Sequence, residues 1–169
     1  MVKKRARGFR VGQHVVYPSH GVGKIRKIEE QEIAGTMIEM FEIYVERDKL
    51  TLLVPTKKAK EVGMRKTAST NEVEEAMTTL KGKPVRKKLM WSRRAKEFDE
   101  KINSGEIMQI AEVVRDLHRR DDQTEQSYSE RQLFESAFDR LGREIAVVTG
   151  ISQDDASEKM QKVLVARKL

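Results

Sequence analysis

The chain has 169 residues, with 34 Lys and Arg against 27 Asp and Glu, for a formal charge of +7. It holds no cysteine, which excludes disulfides, thiolate catalysis and cysteine-based zinc sites. No apolar run approaches the ~20 residues a membrane helix needs, and the charged start Met1-Val2-Lys3-Lys4-Arg5 lacks the apolar stretch of a secretory signal, so an intracellular, soluble chain of one or two small domains is expected.

Taken in chain order, residues 1–8 read as a frayed basic tail, with at most a nonspecific electrostatic role. Residues 9–65 read as β. Val11, Val15 and Tyr17 roughly alternate with polar residues, and Pro18-Ser19-His20-Gly21-Val22-Gly23 reads as a turn or loop. Ile25 and Ile28 mark a short second strand, and Ala34-Gly35 a hairpin turn. Phe41, Ile43 and Val45 then alternate with Glu42 and Tyr44, as in a half-buried strand. A turn at Arg47-Asp48-Lys49 leads into Leu50-Thr51-Leu52-Leu53-Val54, closed by Pro55. Strands at this spacing suggest a small barrel, marginal by itself at such a length.

From Thr70 the period becomes helical. Helices are expected from about 70 to 80, 91 to 103, 107 to 117, 130 to 149 and 153 to 164, with Gly82, Gly105 and Gly150 as stops. The wheel faces describe a compact helical bundle. The fold class is α+β, with a β domain over 1–64, a linker over 65–70 and a helical domain over 71–169.

Three features could carry function. Residues 81–96 hold Lys81, Lys83, Arg86, Lys87, Lys88, Arg93, Arg94 and Lys96 and no acid. A solvated surface is the bland reading, but cations at a helix start oppose its dipole, and phosphate backbone would supply the missing charge. Trp91, the only tryptophan, lies inside that run. It is either core or an aromatic that stacks on a base or wedges into a minor groove while flanking cations hold phosphates. Third, Ile38, Met40 and Tyr44 point away from Phe41, Ile43 and Val45, which gives either barrel filling or a protein-docking face, including an edge that adds a strand to a partner sheet. Enzyme signals are weak. His14, His20 and His118 lack metal-ligand spacing, Gly21-Val22-Gly23-Lys24 is not a phosphate-binding loop, and Glu29-Glu30 and Asp121-Asp122 read as surface acids. No catalytic residue, metal or cofactor is expected.

The stretch Val11-Gly12-Gln13-His14-Val15-Val16-Tyr17-Pro18-Ser19-His20-Gly21-Val22-Gly23 resembles the start of the CarD/CdnL family, bacterial regulators that share an amino-terminal module with transcription-repair coupling factor. Leu50-Thr51-Leu52-Leu53-Val54-Pro55, Trp91-Ser92-Arg93-Arg94 and Ile110-Ala111-Glu112-Val113-Val114-Arg115-Asp116-Leu117-His118-Arg119-Arg120-Asp121 resemble the same family, in the same order. The resemblance implies a Tudor-like domain that docks on the RNA polymerase β subunit through Gln31, Ile33 and Leu53. It also implies a helical domain that contacts promoter DNA, at minor groove and phosphates, at the upstream edge of the transcription bubble. There Trp91 would be the wedge, with Arg93, Arg94 and Lys96 at phosphates and Arg131 at a further DNA-contacting position; Lys87 and Lys88, from the basic run itself, are expected to bind DNA beside them. The chain departs from some relatives, which carry arginines where it has Gln31 and Leu53, and Asn where it has Met90. The expected protein is a monomeric, cytoplasmic regulator, brought to the nucleoid by polymerase, that stabilises the promoter open complex without reading sequence. An RNA- or ribosome-associated binding protein is the alternative, and a protein-interaction adaptor a third reading.

Overall fold

The computed structural model describes residues 4–120 and 123–168. Lys3 and the Asp121-Asp122 pair lie outside them. The chain divides into two compact units, up to Thr67 and from Ala68 onward.

The first unit is built on antiparallel ladders. Strands β1 (Arg5–Ala6) and β2 (Phe9–Arg10) form a two-stranded hairpin, so part of the expected frayed tail is paired structure. Strands β3 (His14–Tyr17), β4 (Gly21–Ile33), β5 (Thr36–Val45), β6 (Leu50–Pro55) and β7 (Arg65–Lys66) form a five-stranded sheet ordered β6-β5-β4-β3-β7. The sheet is open rather than a closed barrel. Closure would require β6 to pair with β7, and the two residues of β7 pair with β3 alone. Residues 65–70, expected as a linker, thus include a strand at one end and a helix cap at the other.

Strand β4 is far longer than Ile25 and Ile28 foretell. Its outer half, from Glu29 to Ile33, pairs with Thr36 to Met40 and runs past the end of β6. This ribbon is largely exposed on both faces, so it carries no alternating apolar signal. Its turn does show, because Ala34 and Gly35 both take positive φ (51° and 79°), the geometry of a two-residue hairpin loop. The core gathers Phe9, Val15, Ile25, Ile28, Phe41, Ile43 and Val54. Gly23 lies inside β4, where a Cβ would stand 2.6 Å from Ile43 Cγ2.

The second unit is helical: α1 (Thr70–Leu80), α2 (Trp91–Ile102), α3 (Ile107–Leu117), α4 (Tyr128–Thr149) and α5 (Gln153–Val165). Ser69 caps α1, accepting from the Glu72 amide while the Glu72 carboxylate accepts from the Ser69 amide. Gly150 closes α4 in the left-handed conformation at φ 72°. Helix α3 is central, with Ile107, Ile110, Ala111, Val113, Val114 and Leu117 all buried. Chain entry into the unit is tied by Ala68, whose amide donates to buried Glu144 on α4 at 2.7 Å. Among the described residues, no helix is long and apolar enough to cross a membrane.

Candidate functional site

The basic run occupies one edge of the helical unit. Residues 81–90 connect α1 to α2 without regular structure, and Lys81, Lys83, Arg86, Lys87 and Lys88 are exposed on it. Trp91 opens α2 and is half-buried, packed against the helical core with its ring 6.4 Å from Phe98. The Arg94 guanidinium lies 5.4 Å from the Trp91 ring centroid, a cation–π contact that holds charge beside the indole. Arg93 and Lys96 are exposed on the same helix. Lys87 is bonded to Glu97 at 3.0 Å, whereas Lys88, Arg93 and Lys96 form no ion pair with a described residue. Met90 supplies no side-chain cap to α2, whose first turn contains no acid, so two arginines face the positive helix end uncompensated. Met90 itself is 79% exposed next to the indole. Arg131 is exposed in the first turn of α4; Lys96 lines a groove with Ser129 and Gln132 of that helix, and Arg131 lies beside the groove rather than in it.

Two residues that the sequence reading passed over hold this edge in place. Asp116, 5% exposed, accepts from the Val85 amide at 2.9 Å and from Arg115 Nε at 2.7 Å. Arg167, also 5% exposed, donates to the carbonyls of Gly82, Arg115 and Leu164 and contacts His118 Nδ1 at 3.3 Å. The start of the basic connector is thus pinned at Gly82 and Val85, and of its later cations Lys87 is held by Glu97. A carboxylate within the apolar run of α3 was the available signal for Asp116. Arg167 carried none, because its partners are backbone carbonyls distant in sequence.

The pinning creates crowded positive charge. The Asp116 hydrogen bond raises the Arg115 pKa. Burial, then the neighbouring Arg86 charge, lowers that of Arg119. Burial, then Arg120, does the same to Arg167, and burial, then Arg167, pushes His118 down, so that ring favours its neutral form.

The first unit presents a different surface. In the β4–β5–β6 register, Gln31 faces Ile38, Ile33 faces Thr36, and Leu53 faces Glu42. Side chains alternate along strands, so Gln31, Ile33 and Leu53 share one face with Ile38, Met40 and Glu42, opposite Phe41 and Ile43. Ile33 and Leu53 are 45% and 47% exposed, whereas Met40 is buried at 7%. Among the described residues, no group of three His, Asp or Glu side chains could hold a metal ion.

Two family models match, in the order of the two units: "CarD-like/TRCF RID domain" over residues 9–68 and "CarD, C-terminal domain" over residues 75–161. The chain belongs to the CarD family. It is 31% identical over 145 residues to a Bacillus subtilis (strain 168) protein named "Putative transcription factor YdeB", a match that spans 86% of this chain and 95% of that one. A solution structure of the 72-residue amino-terminal domain of Myxococcus xanthus CarD is 33% identical, covering 39% of this chain and 89% of that one at a TM-score of 0.31. As a CarD-family member the chain is a transcription regulator.

Proposed function

We propose that this CarD-family regulator docks on the RNA polymerase β subunit through the sheet face of Gln31, Ile33 and Leu53 and stabilises the promoter open complex through the α2 edge. Trp91 carries the reading: a half-buried indole with Phe98 behind it, Arg94 beside it, and around it Lys88, Arg93 and Lys96, which form no ion pair with a described residue. A ring braced from behind can enter a minor groove at low entropy cost, while the cations and Arg131 hold phosphates and Lys87 exchanges Glu97 for one. Unstacking a base step costs a few kcal/mol, and least where the duplex is already opening, so the wedge favours open over closed DNA by that difference. Weak contact suffices once polymerase tethers the protein, because effective concentration replaces affinity. The exposed edges of the long β4–β5 ribbon suit docking by strand addition. The chain acts as a cytoplasmic monomer without catalysis or cofactor.

The test is the lifetime of a polymerase–promoter open complex after competitor challenge, with and without the protein. Wild type lengthens it; Trp91→Ala abolishes the gain while still co-eluting with polymerase. Unchanged lifetime with Trp91→Ala removes the wedge, and no effect of wild type at several promoters makes structured RNA the partner to test.

A further inference from the structure

The cationic hairpin at the amino end takes no part in either surface described so far. Its turn, Arg7-Gly8, has φ of 52° and 84°, as a two-residue hairpin loop between right-twisted strands requires. Alternation then sorts its side chains. The Ala6–Phe9 pair faces inward, with Phe9 buried and edge-on to Phe41 at 5.7 Å. The Arg5–Arg10 pair faces outward, two like charges directly opposite each other, an arrangement that destabilises a strand pair. Lys66 of β7 and Gln13 complete an open cleft with Arg5, Arg7 and Arg10, and no acidic side chain lines it. None of Lys4, Arg5, Arg7, Arg10 and Lys66 forms an ion pair with a described residue.

The backbone beneath this charge is tied down. The Val11 amide donates to the Lys4 carbonyl at 3.0 Å, and the Arg10 amide to Gln13 Oε1 at 3.0 Å. A frayed tail would let its cations spread apart; this hairpin holds them together. The cleft offers no exposed aromatic or large apolar anchor, which a protein interface uses at its centre and a base-reading site uses for stacking. Arginines carried on a tied backbone, with nothing to stack on, suit phosphate oxygens, contacts that position nucleic acid without reading it.

We propose that the β1–β2 hairpin and Lys66 form a second phosphate-binding surface, on the sheet unit, that grips the backbone of duplex DNA independently of the α2 edge. The site gives that unit a nucleic-acid contact besides its polymerase-facing surface.

The test is the salt dependence of full-length protein binding to a mixed-sequence DNA duplex. Each neutralised phosphate contributes about 0.9 to the slope of log affinity against log salt. Replacing Arg5, Arg7 and Arg10 together with Gln lowers the slope by about 2.7, so a fourfold rise in salt weakens wild type about 40-fold more than the variant. Arg93→Gln with Arg94→Gln lowers the slope separately, and the two sets add. The triple Lys variant keeps the wild-type slope. In unmodified protein, duplex addition shifts the amide resonances of Gly8, Arg10 and Val11. An unchanged slope in the Gln variant, or unmoved amides, overturns the proposal. So does a variant that binds DNA as before but releases polymerase at lower salt, since the hairpin would then hold an acidic protein surface. Because duplex binding is read without polymerase, a failed open-complex assay leaves this result standing.

Discussion

The two units hold their candidate binding residues by different means. In the sheet unit, placement follows from register: once Phe41 and Ile43 are buried, alternation sends Gln31, Ile33 and Leu53 to the other face. In the helical unit, the basic connector has no regular structure of its own and depends on two buried polar groups, Asp116 and Arg167. A surface built on register withstands change at its own residues. A surface built on buried ties fails when a single buried hydrogen-bonding group beneath it is removed.

The sharpest way to break this contrast is in the cores. Phe41→Ala should cost about 3–5 kcal/mol and remove the sheet surface altogether, read by chemical denaturation and by loss of polymerase co-elution. Asp116→Ala should cost about 1–3 kcal/mol by leaving the Val85 amide and Arg115 without their acceptor. It should also weaken DNA binding, although Asp116 is buried and touches no DNA in the proposed mode. Undiminished DNA affinity in a folded Asp116→Ala protein would show that the connector holds its shape unaided. Leu53→Glu, by contrast, should abolish polymerase co-elution with a thermal midpoint close to wild type, because the side chain is exposed. Ser69→Ala, which removes one half of the capping box, should cost about 1 kcal/mol and leave both binding surfaces intact.

A smaller effect concerns pH. Burial and Arg167 depress the His118 pKa in the folded state below its ordinary 6.5, so the unfolded chain binds the proton more readily. The ring's contribution is intact above pH 6.5 and is lost as pH falls below it toward the folded pKa. His14 acts in the same direction through burial and Lys24. His118→Gln should therefore flatten, without abolishing, the fall in thermal midpoint below pH 6.5; an unaltered profile would show that the ring binds its proton equally well in the folded and unfolded chain.

Much of the architecture was legible where burial imposes a period. Phe41, Ile43 and Val45 alternate, Ile107, Ile110, Val114 and Leu117 form a stripe, and the structure buries all of them. The outer half of β4 was not legible, because a ribbon exposed on both faces has no period to show. Sheet closure was not legible either, since nothing in Arg65-Lys66 says which edge it joins. Of the site, the basic run and Trp91 could be seen because composition marks them. Of the supports, Asp116 showed only as a carboxylate within the apolar run of α3, and Arg167 could not be seen, because it bonds to backbone groups that any sequence would provide.

Gly23 shows what kind of information the most recognisable stretch of the chain carries. The room it leaves is filled by Ile43, and the neighbouring Gly21 turns the chain at φ 84°. Both glycines answer to the interior of the sheet rather than to a partner. The stretch Tyr17-Pro18-Ser19-His20-Gly21-Val22-Gly23 thus holds two glycines that the geometry of the sheet itself requires. The residues proposed to grip a partner, Gln31, Leu53 and Arg7, lie instead at half-buried or exposed positions, where a side chain can change without disturbing the frame.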